Sequence, residues 1–371
     1  MVDLYSKNRL CVRDEKKMKL RPEFFLDRGW SALHKNDMMM KIQTEGQRIL
    51  VVSFSVLIIT HGREELLMKC LESLRVGLPF ELVLFANGLP FSSDLNLYLK
   101  DYPAEVKLAA SETTLAPGEA RNRALKMVSG DWVHFIDDDS YWTRSYSEIL
   151  KPLLENPKLE VFGGPDSPAR PMSYFQESVS LALSSPFCTG VTSARHRSVG
   201  KTLIPASEEI LSSCNLWVRK SLLEESPFPE DFRRTEENFF LQKLTRENRR
   251  MFYHPLLVVG HFRRKSLSSL FRPTLGAGYW RSRLNRRKLG AGFVFWLPSV
   301  FVLLHSVVFF SPAFFLELVK VYSFVVIAVS FGISSRSRKI SHFPLVALLH
   351  YVIVFLYGSG FLLERSGYKW K

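Results

Sequence analysis

The feature that most constrains this chain is a run of nineteen residues, 293–311 (FVFWLPSVFVLLHSVVFFS), that contains no Asp, Glu, Lys or Arg. Two further apolar runs follow: 313–333, interrupted only by Glu317 and Lys320, and 343–363, which carries no formal charge. A helix of ~20 apolar residues spans the hydrocarbon core of a bilayer, and core helices of soluble domains seldom run so long without charge. Two to three transmembrane helices are therefore expected over 293–363. Pro312 marks a turn between the first two. Glu317 and Lys320 stand three apart, so they share a helix face and can pair.

Orientation follows from the flanks. The basic stretch 281–288 precedes the first run, and Arg336, Arg338 and Lys339 lie between the second and third. The positive-inside rule places both clusters in the cytoplasm, which makes the first two runs a hairpin. The third run would then send the basic tail 364–371 outward, against Arg365, Lys369 and Lys371; an interfacial or re-entrant course for that run stays open. The first thirty residues are charged and lack the apolar segment of a signal peptide, so the front of the chain is expected to stay cytoplasmic. The expectation is a multi-pass protein of the inner (plasma) membrane.

The net charge of +14 is unevenly placed, with no acidic residue between Glu247 and Glu317. Nucleic acid is one partner for such a patch. Its position against apolar runs, with only Phe271, Tyr279 and Trp280 interleaved, argues for membrane lipids and no nucleic acid. Residues 276–292 (GAGYWRSRLNRR at the start) read as a basic amphipathic segment at the membrane surface, with Tyr279 and Trp280 in the interface. With 46% hydrophobic and 23% charged residues, the chain is not disordered as a whole. Its four cysteines, Cys11, Cys70, Cys188 and Cys214, form no CxxC pair, which argues against a disulfide framework or a zinc site.

Residues 1–50 read as a polar extension of unreadable role, and 51–275 as an α/β domain. FSVLIIT (54–60) has the continuous β-branched character of a buried parallel strand, and His61-Gly62-Arg63 forms its turn. Residues 64–74 carry apolar positions at helical spacing, with acids in the first turn. ELVLFA (81–86) is a second strand turned by Asn87-Gly88, and 106–109 a short third. Pro117 opens a helix to about Val128, stopped by Gly130. Strand 131–136 ends directly in Asp137-Asp138-Asp139. This alternation implies a mostly parallel sheet, whose ligands bind at the carboxyl ends of its strands.

Three consecutive carboxylates repel one another, and their pKa values rise unless a cation sits among them. In extended chain Asp137 and Asp139 point the same way and Asp138 faces away. Hard divalent cations bind such oxygen clusters and bridge to phosphates. A solvated acidic turn is the plain alternative. Upstream, LAPGEARNRAL puts Arg121 and Asn122 one turn inside a helix whose N-terminal N–H groups suit a phosphate.

FSVLIITHGREELLMKCLESL, ELVLFANG and APGEARNRALKMVSGDWVHFIDDD together resemble the family 2 glycosyltransferases of GT-A fold, and TEENFFLQKLTRENRRMFYHPLLVVGHFRR resembles their second-half signature. The resemblance covers roughly 53–290. The basic segment followed by apolar helices is similar to the membrane-anchored exopolysaccharide transferases of succinoglycan type. The resemblance implies a nucleotide-diphospho-sugar donor, UDP- or GDP-linked in preference to dTDP-linked, and a Mg or Mn ion. It also implies that Thr60, Arg63 and Asn87 lie in loops that meet the nucleotide, and that Arg121 and Asn122 lie beside the sugar-diphosphate. Asp137 and Asp138 count with the donor-binding residues, Asp139, Asp137 and His261 with the metal, and Glu236-Glu237 with the acidic pair that holds the catalytic base, Glu237 foremost. The chain departs from the pattern at Gly62, where Asn is usual, at Ala86, where Asp is frequent, and at Glu237, where the pair usually ends in Asp. A Gln-x-x-Arg-Trp motif, which touches the acceptor in related synthases, is absent.

The implied reaction is inverting transfer to a lipid-linked or glycan acceptor in cell-surface polysaccharide synthesis. A base takes the acceptor proton, a cation neutralises the leaving diphosphate, and arginine adds to that stabilisation. A processive polysaccharide synthase and a silent scaffold with a transferase-like domain are the competing readings. Three apolar runs are few for a translocation channel, and the retained carboxylates argue against the silent scaffold.

Overall fold

The computed structural model describes residues 52–75, 78–287 and 292–370. The extension 1–50, and Lys288 in the basic segment, lie outside the described residues.

Strands β1 (Phe54–Thr60) and β2 (Glu81–Asn87) flank helix α1 (Glu64–Leu74), and β2 leads through α2 (Ser93–Lys100) to β3 (Glu105–Ser111). Helix α3 (Pro117–Leu125) precedes β4 (Trp132–Phe135), and β4 runs through the acidic turn into β5 (Ser140–Trp142) and α4 (Tyr146–Leu154). Short strands β6 (Val161–Gly163) and β7 (Asp166–Pro168) lead to helices α5 (Tyr174–Leu183) and α6 (Pro186–Thr189). Then come β8 (Ile204–Pro205), β9 (Leu216–Arg219), α7 (Lys220–Glu225), α8 (Glu236–Arg246), β10 (Met251–Tyr253) and β11 (Val259–His261).

Eight strands form one sheet in the order β3-β2-β1-β4-β9-β6-β10-β8. The β3-β2-β1-β4 half is parallel throughout, and β9 runs antiparallel between β4 and β6. Strand β1 is apolar without interruption because both faces are covered. Val56 and Ile58 pack with Leu67, Leu71 and Trp217 on one side, while Leu57 packs with Ala120, Phe135 and Phe240 on the other. The parallel β1–β4 pairing brings the ends of both strands to one edge, so the turn at His61–Arg63 faces the acidic turn.

A second, three-stranded sheet, β5-β11-β7, stands beside that edge. Its register sets His261 opposite Ser140, next to the acidic turn, and opposite Pro168 on the other side.

Helix α9 (Leu267–Arg286) follows, then α10 (Leu297–His305), α11 (Pro312–Arg336) and α12 (Phe343–Arg365). Two of these, α11 and the helical stretch ending in α12, are long and apolar enough to cross a membrane. The run 293–311 breaks into a 3-10 turn at Phe293–Trp296, the nine-residue α10 and another 3-10 turn at Ser306–Phe309. Together they make one apolar helical stretch, Phe293–Phe309, shorter than the two long helices that follow. The expected Glu317–Lys320 pair does form, at 2.7 Å on the exposed face of α11.

Residues 267–286 are one helix that packs along α12, with Tyr279 and Trp280 buried instead of interfacial. Tyr279 donates its hydroxyl to the Tyr368 carbonyl, and Trp280 lies against Phe232. Glycines set this crossing. A Cβ on Gly278 would stand 1.9 Å from the Tyr357 carbonyl oxygen, and one on Gly360 1.9 Å from that of Leu275. Only hydrogen fits between the two backbones at these points.

Candidate active site

The acidic turn closes through Ser140 N–H to the Asp137 carbonyl, 3.0 Å. Its carboxylates then divide. Asp138 is fully buried and turned under the β1 loop, where it accepts from Thr60 Oγ1 at 2.8 Å and from the Arg63 guanidinium. The expectation that Asp138 faces away from the site is thus corrected, and its oxygens, spent on Thr60 and Arg63, position those residues. Arg63 forks across the turn, reaching Asp139 with Nη1 and Asp138 with Nη2. Gly62 makes the fork possible, since its φ of +72° lies where only glycine, and after it Asn, rests without strain. Glycine in place of the usual Asn therefore keeps the loop geometry.

Asp139 is buried beside two cations. His261 Nε2 is 3.3 Å from Asp139 Oδ1, and the opposite ring nitrogen, Nδ1, is 3.1 Å from Asp166 Oδ2. Burial alone would raise the Asp139 carboxyl. The His261 hydrogen bond and charge, with Arg63 behind them, outweigh it and hold the group well below the usual carboxylate range. For His261 burial works downward, yet its bonds to Asp139 and Asp166 lift the imidazole to about 9. Asp137 goes the other way: burial, then the neighbouring Asp139 charge, raise it. Asp166 itself is buried among Arg263, His196 and His261.

The three expected metal ligands do not converge as one set. Among the described residues no three His, Cys, Asp or Glu side chains are arranged to hold an ion. Asp139 and His261 alone present an oxygen–nitrogen pair of the hard type that Mg and Mn accept. Such ions commonly use one or two protein carboxylates and take the rest of their shell from substrate phosphates and water. The donor set fits a shared ion of that kind.

On the opposite side of the sheet edge, α8 begins at Thr235, which sits in the left-handed region at φ +62°, and presents two glutamates in its first turn. They differ. Glu236 is buried in an ion pair with Arg121, whose guanidinium also lies over the rings of Phe135 and Phe228. Glu237 has no such partner among the described residues and faces a cavity of about 610 Å³, where burial and then the Glu236 charge raise its carboxyl to about 6. His261 lines the same cavity, and its far wall is apolar, built from α10, α11 and α12.

Two expected donor-binding residues are engaged elsewhere. The Asn122 amide clips α3 to the 226–230 loop, donating to the Phe228 carbonyl at 2.9 Å and accepting from the Phe228 N–H at 3.0 Å. Asn87 accepts from the Leu115 N–H at 2.8 Å and donates to the Leu115 carbonyl at 3.2 Å, tying β2 to the approach to α3. Arg121, expected beside the diphosphate, is buried against Glu236. Ala86 is fully buried within β2. Sequence reasoning missed Asp166, Arg263 and His196. The alternation His261–Arg263 in extended chain hints at one shared face, whereas nothing in GGPDSP singles out Asp166.

Residues 55–225 match the Glycosyl transferase family 2 model, a segment that contains the acidic turn and stops before Glu236 and His261. No curated protein sequence matches the chain. Among solved structures, the mannosyltransferase PcManGT from Pyrobaculum calidifontis, in complex with GDP-Man and Mn2+, is similar at 14% identity. The alignment covers 80% of this chain and 86% of that one, with a TM-score of 0.54. S. aureus TarS 1–349 in complex with UDP-GlcNAc aligns at 17% identity over 86% of this chain and 93% of that one, with a TM-score of 0.47. With the parallel β3-β2-β1-β4 edge and the acidic turn at the end of β4 both inside the matched segment, residues 55–225 form a family 2 glycosyltransferase domain of GT-A fold.

Proposed function

We propose that this enzyme transfers a sugar, with inversion, from a UDP- or GDP-sugar to a lipid-linked glycan at the cytoplasmic face of the inner membrane, in cell-surface polysaccharide synthesis. The observation that carries the reading is the shared cavity: Glu237, without an ion-pair partner among the described residues, and His261 of β11 face one space whose far wall is apolar. The donor lies over the ends of β1, β2 and β4, where Arg63 and the acidic turn meet its diphosphate. Glu237 takes the proton of the acceptor hydroxyl as that oxygen forms a bond to the anomeric carbon. The bond from that carbon to the diphosphate breaks, and its electron pair leaves with the nucleoside diphosphate. A single base with no covalent nucleophile gives opposite-face attack and inversion, by the logic of inverting glycosidases.

A divalent ion held by Asp139 and His261, with Asp137 nearby, would supply charge neutralisation to the leaving group. The GDP-Man and Mn2+ of the mannosyltransferase that shares the fold support the same class of donor and ion here. Helix α11 supports the membrane location, because it leaves Phe314, Leu316, Val321, Phe324 and Ile327 exposed along its length. Glu236, Arg121, Asn87 and Asn122 act as positioning residues in this reading, and Thr60 and Asp138 orient Arg63.

The test is a panel of UDP-, GDP- and dTDP-sugars with Mg or Mn, scored by nucleotide release with and without a membrane-lipid extract. Metal-dependent release stimulated by the extract is expected. Release from no donor under any metal condition would overturn the reading.

A further inference from the structure

The first turn of α8 rests on a buried polar cluster that the transfer chemistry has not yet used. At its centre is Glu208, in the loop after β8, almost fully buried. Its carboxylate accepts from Asn238 at 2.7 Å, from Arg281 of α9 at 2.7 Å and from Gln242 at 3.4 Å. Its backbone carbonyl is shared. Asn238 Nδ2 donates to that oxygen at 2.9 Å and Arg195 Nη2 at 2.5 Å, while Arg195 Nε donates to the next carbonyl, that of Glu209, at 2.7 Å. Arg195 comes from the 3-10 stretch Gly190–His196, and Asn238 is the residue after Glu237. One carbonyl oxygen thus fixes the Arg195 guanidinium against the turn that carries Glu237, and both side chains line the same cavity.

The other charges around Glu237 are already matched or wet. Arg121 of α3 is paired with Glu236, Arg281 with Glu208 and Arg263 with Asp166. His261 lies between Asp139 and Asp166, and His196 against Asp166. Arg234, ahead of α8, and Arg264 are exposed, so water and salt screen them. Arg195 differs from all of these. It is half-buried, and its hydrogen bonds run to two neutral carbonyls, which aim a guanidinium without cancelling its charge. Burial and then Glu236 raise the Glu237 carboxyl, and Arg195 is the foremost group that opposes them. Reciprocally, burial pushes Arg195 down, and Glu237 is the foremost charge that supports it.

We propose that Arg195 is the positioning residue of the base: clamped on the Glu208 and Glu209 carbonyls, it holds a fixed positive charge beside Glu237 and keeps that carboxylate ready for the acceptor proton. This rests on the glycosyl-transfer reading above and adds a residue to its site. Arg195 exchanges no proton and makes no bond; the bond changes are those already given. Arginine suits the role because it is always charged and its planar fork reaches two carbonyls at once, which the single ammonium of lysine does not reproduce.

The test compares full-length wild type, R195Q and R195K in a non-ionic detergent, by pH–rate profiles of nucleotide release and by calorimetry with UDP and GDP. A unit charge a few ångströms away, at an effective dielectric of about 20–40, changes ionisation by roughly tenfold. R195Q should therefore move the acid limb from about 6 to about 7. Its turnover should fall roughly fivefold at pH 6, roughly twofold at pH 7 and hardly at all at pH 8, with nucleotide affinity unchanged. R195K keeps the charge, so its limb should stay near 6, and it decides the matter if R195Q does not fold; a limb near 7 in R195K overturns the proposal. So does an R195Q rate that drops equally at pH 6 and pH 8, which marks a structural role only, or a loss of UDP or GDP affinity, which assigns the guanidinium to the donor. Thermal melts need no turnover. The Tm deficit of R195Q should widen from pH 5 to pH 8, as Glu237 ionises without its cation, and the widening should vanish in the E237Q background, which separates it from any effect on His196. Equal widening in E237Q overturns the proposal. Widening that depends on Glu237 in a protein that releases nucleotide from no donor keeps the pair and sinks glycosyl transfer; an active enzyme whose R195Q limb stays near 6 sinks the pair and leaves glycosyl transfer intact.

Discussion

Glu236 and Glu237 are adjacent in sequence, yet their replacement by glutamine should produce opposite phenotypes. With its carboxyl raised to about 6, Glu237 is roughly nine-tenths ionised at pH 7 and roughly one-tenth at pH 5. A rate that depends on the ionised base therefore falls roughly tenfold between those pH values, with its acid limb centred near 6 instead of near the ordinary 4.5. E237Q removes the base and should cost roughly 10²–10⁴ in turnover with little change in donor affinity. Its stability should hold or improve. A carboxyl whose pKa is raised by folding adds stability below its unfolded value and loses it as pH rises through about 6, so the ionised group is a burden at neutral pH. E236Q acts through Arg121 instead. Removing one partner of a buried ion pair strands the other, at a cost of about 3–5 kcal/mol, and Tm should drop. The assay combines pH–rate profiles of nucleotide release, donor affinity by calorimetry and thermal melts of both variants. An E236Q protein that melts normally but has lost turnover, beside an E237Q protein with near wild-type rate, would refute the assignment of the base.

Asp139→Asn should abolish metal-stimulated nucleotide release and weaken Mn2+ binding followed by electron paramagnetic resonance, with circular dichroism unchanged; undiminished release contradicts its role. Gly278→Val puts side-chain carbon against the Tyr357 carbonyl, an obstacle that no rotamer change relieves, so a loss of about 1–3 kcal/mol is expected in thermal melts. A variant as stable as wild type would mean that α9 and α12 do not cross as described. Removing 293–371 takes away α12 and uncovers Leu270, Tyr279 and Trp280, so the fragment should leave the membrane fraction as an aggregating, inactive protein. A soluble, active fragment would contradict the packing of the tail on the catalytic domain.

The front of the fold was legible where local signals agree. Strand β1 occupies 54–60 as read, because a continuous apolar run ends abruptly at a glycine turn, and α3 begins at Pro117 as read. Strand β9 escaped notice, since four residues of LWVR between turns resemble many other segments and only the antiparallel slot between β4 and β6 selects them. In the apolar run 293–311, absence of charge says that the segment avoids water, but leaves no mark of where 3-10 turns and α-helix alternate within it. Tyr279 and Trp280 were placed at a lipid surface because aromatic residues beside arginines suit it. What buries them is Gly278 and Gly360, whose effect depends on two helices meeting and is invisible within either one. At the site, the carboxylates of the acidic turn were readable from their position after a strand. The division of labour between Glu236 and Glu237 was not, because it is set by Arg121, more than a hundred residues away.

The glycine crossing of α9 and α12 has a consequence for scale. With the two backbones in direct contact, the height of Glu237 above the greasy belt is a dimension of the folded chain and not the slack of a tether. For the membrane-borne acceptor proposed above, the enzyme would then work as a gauge, modifying only those hydroxyls that stand at that height.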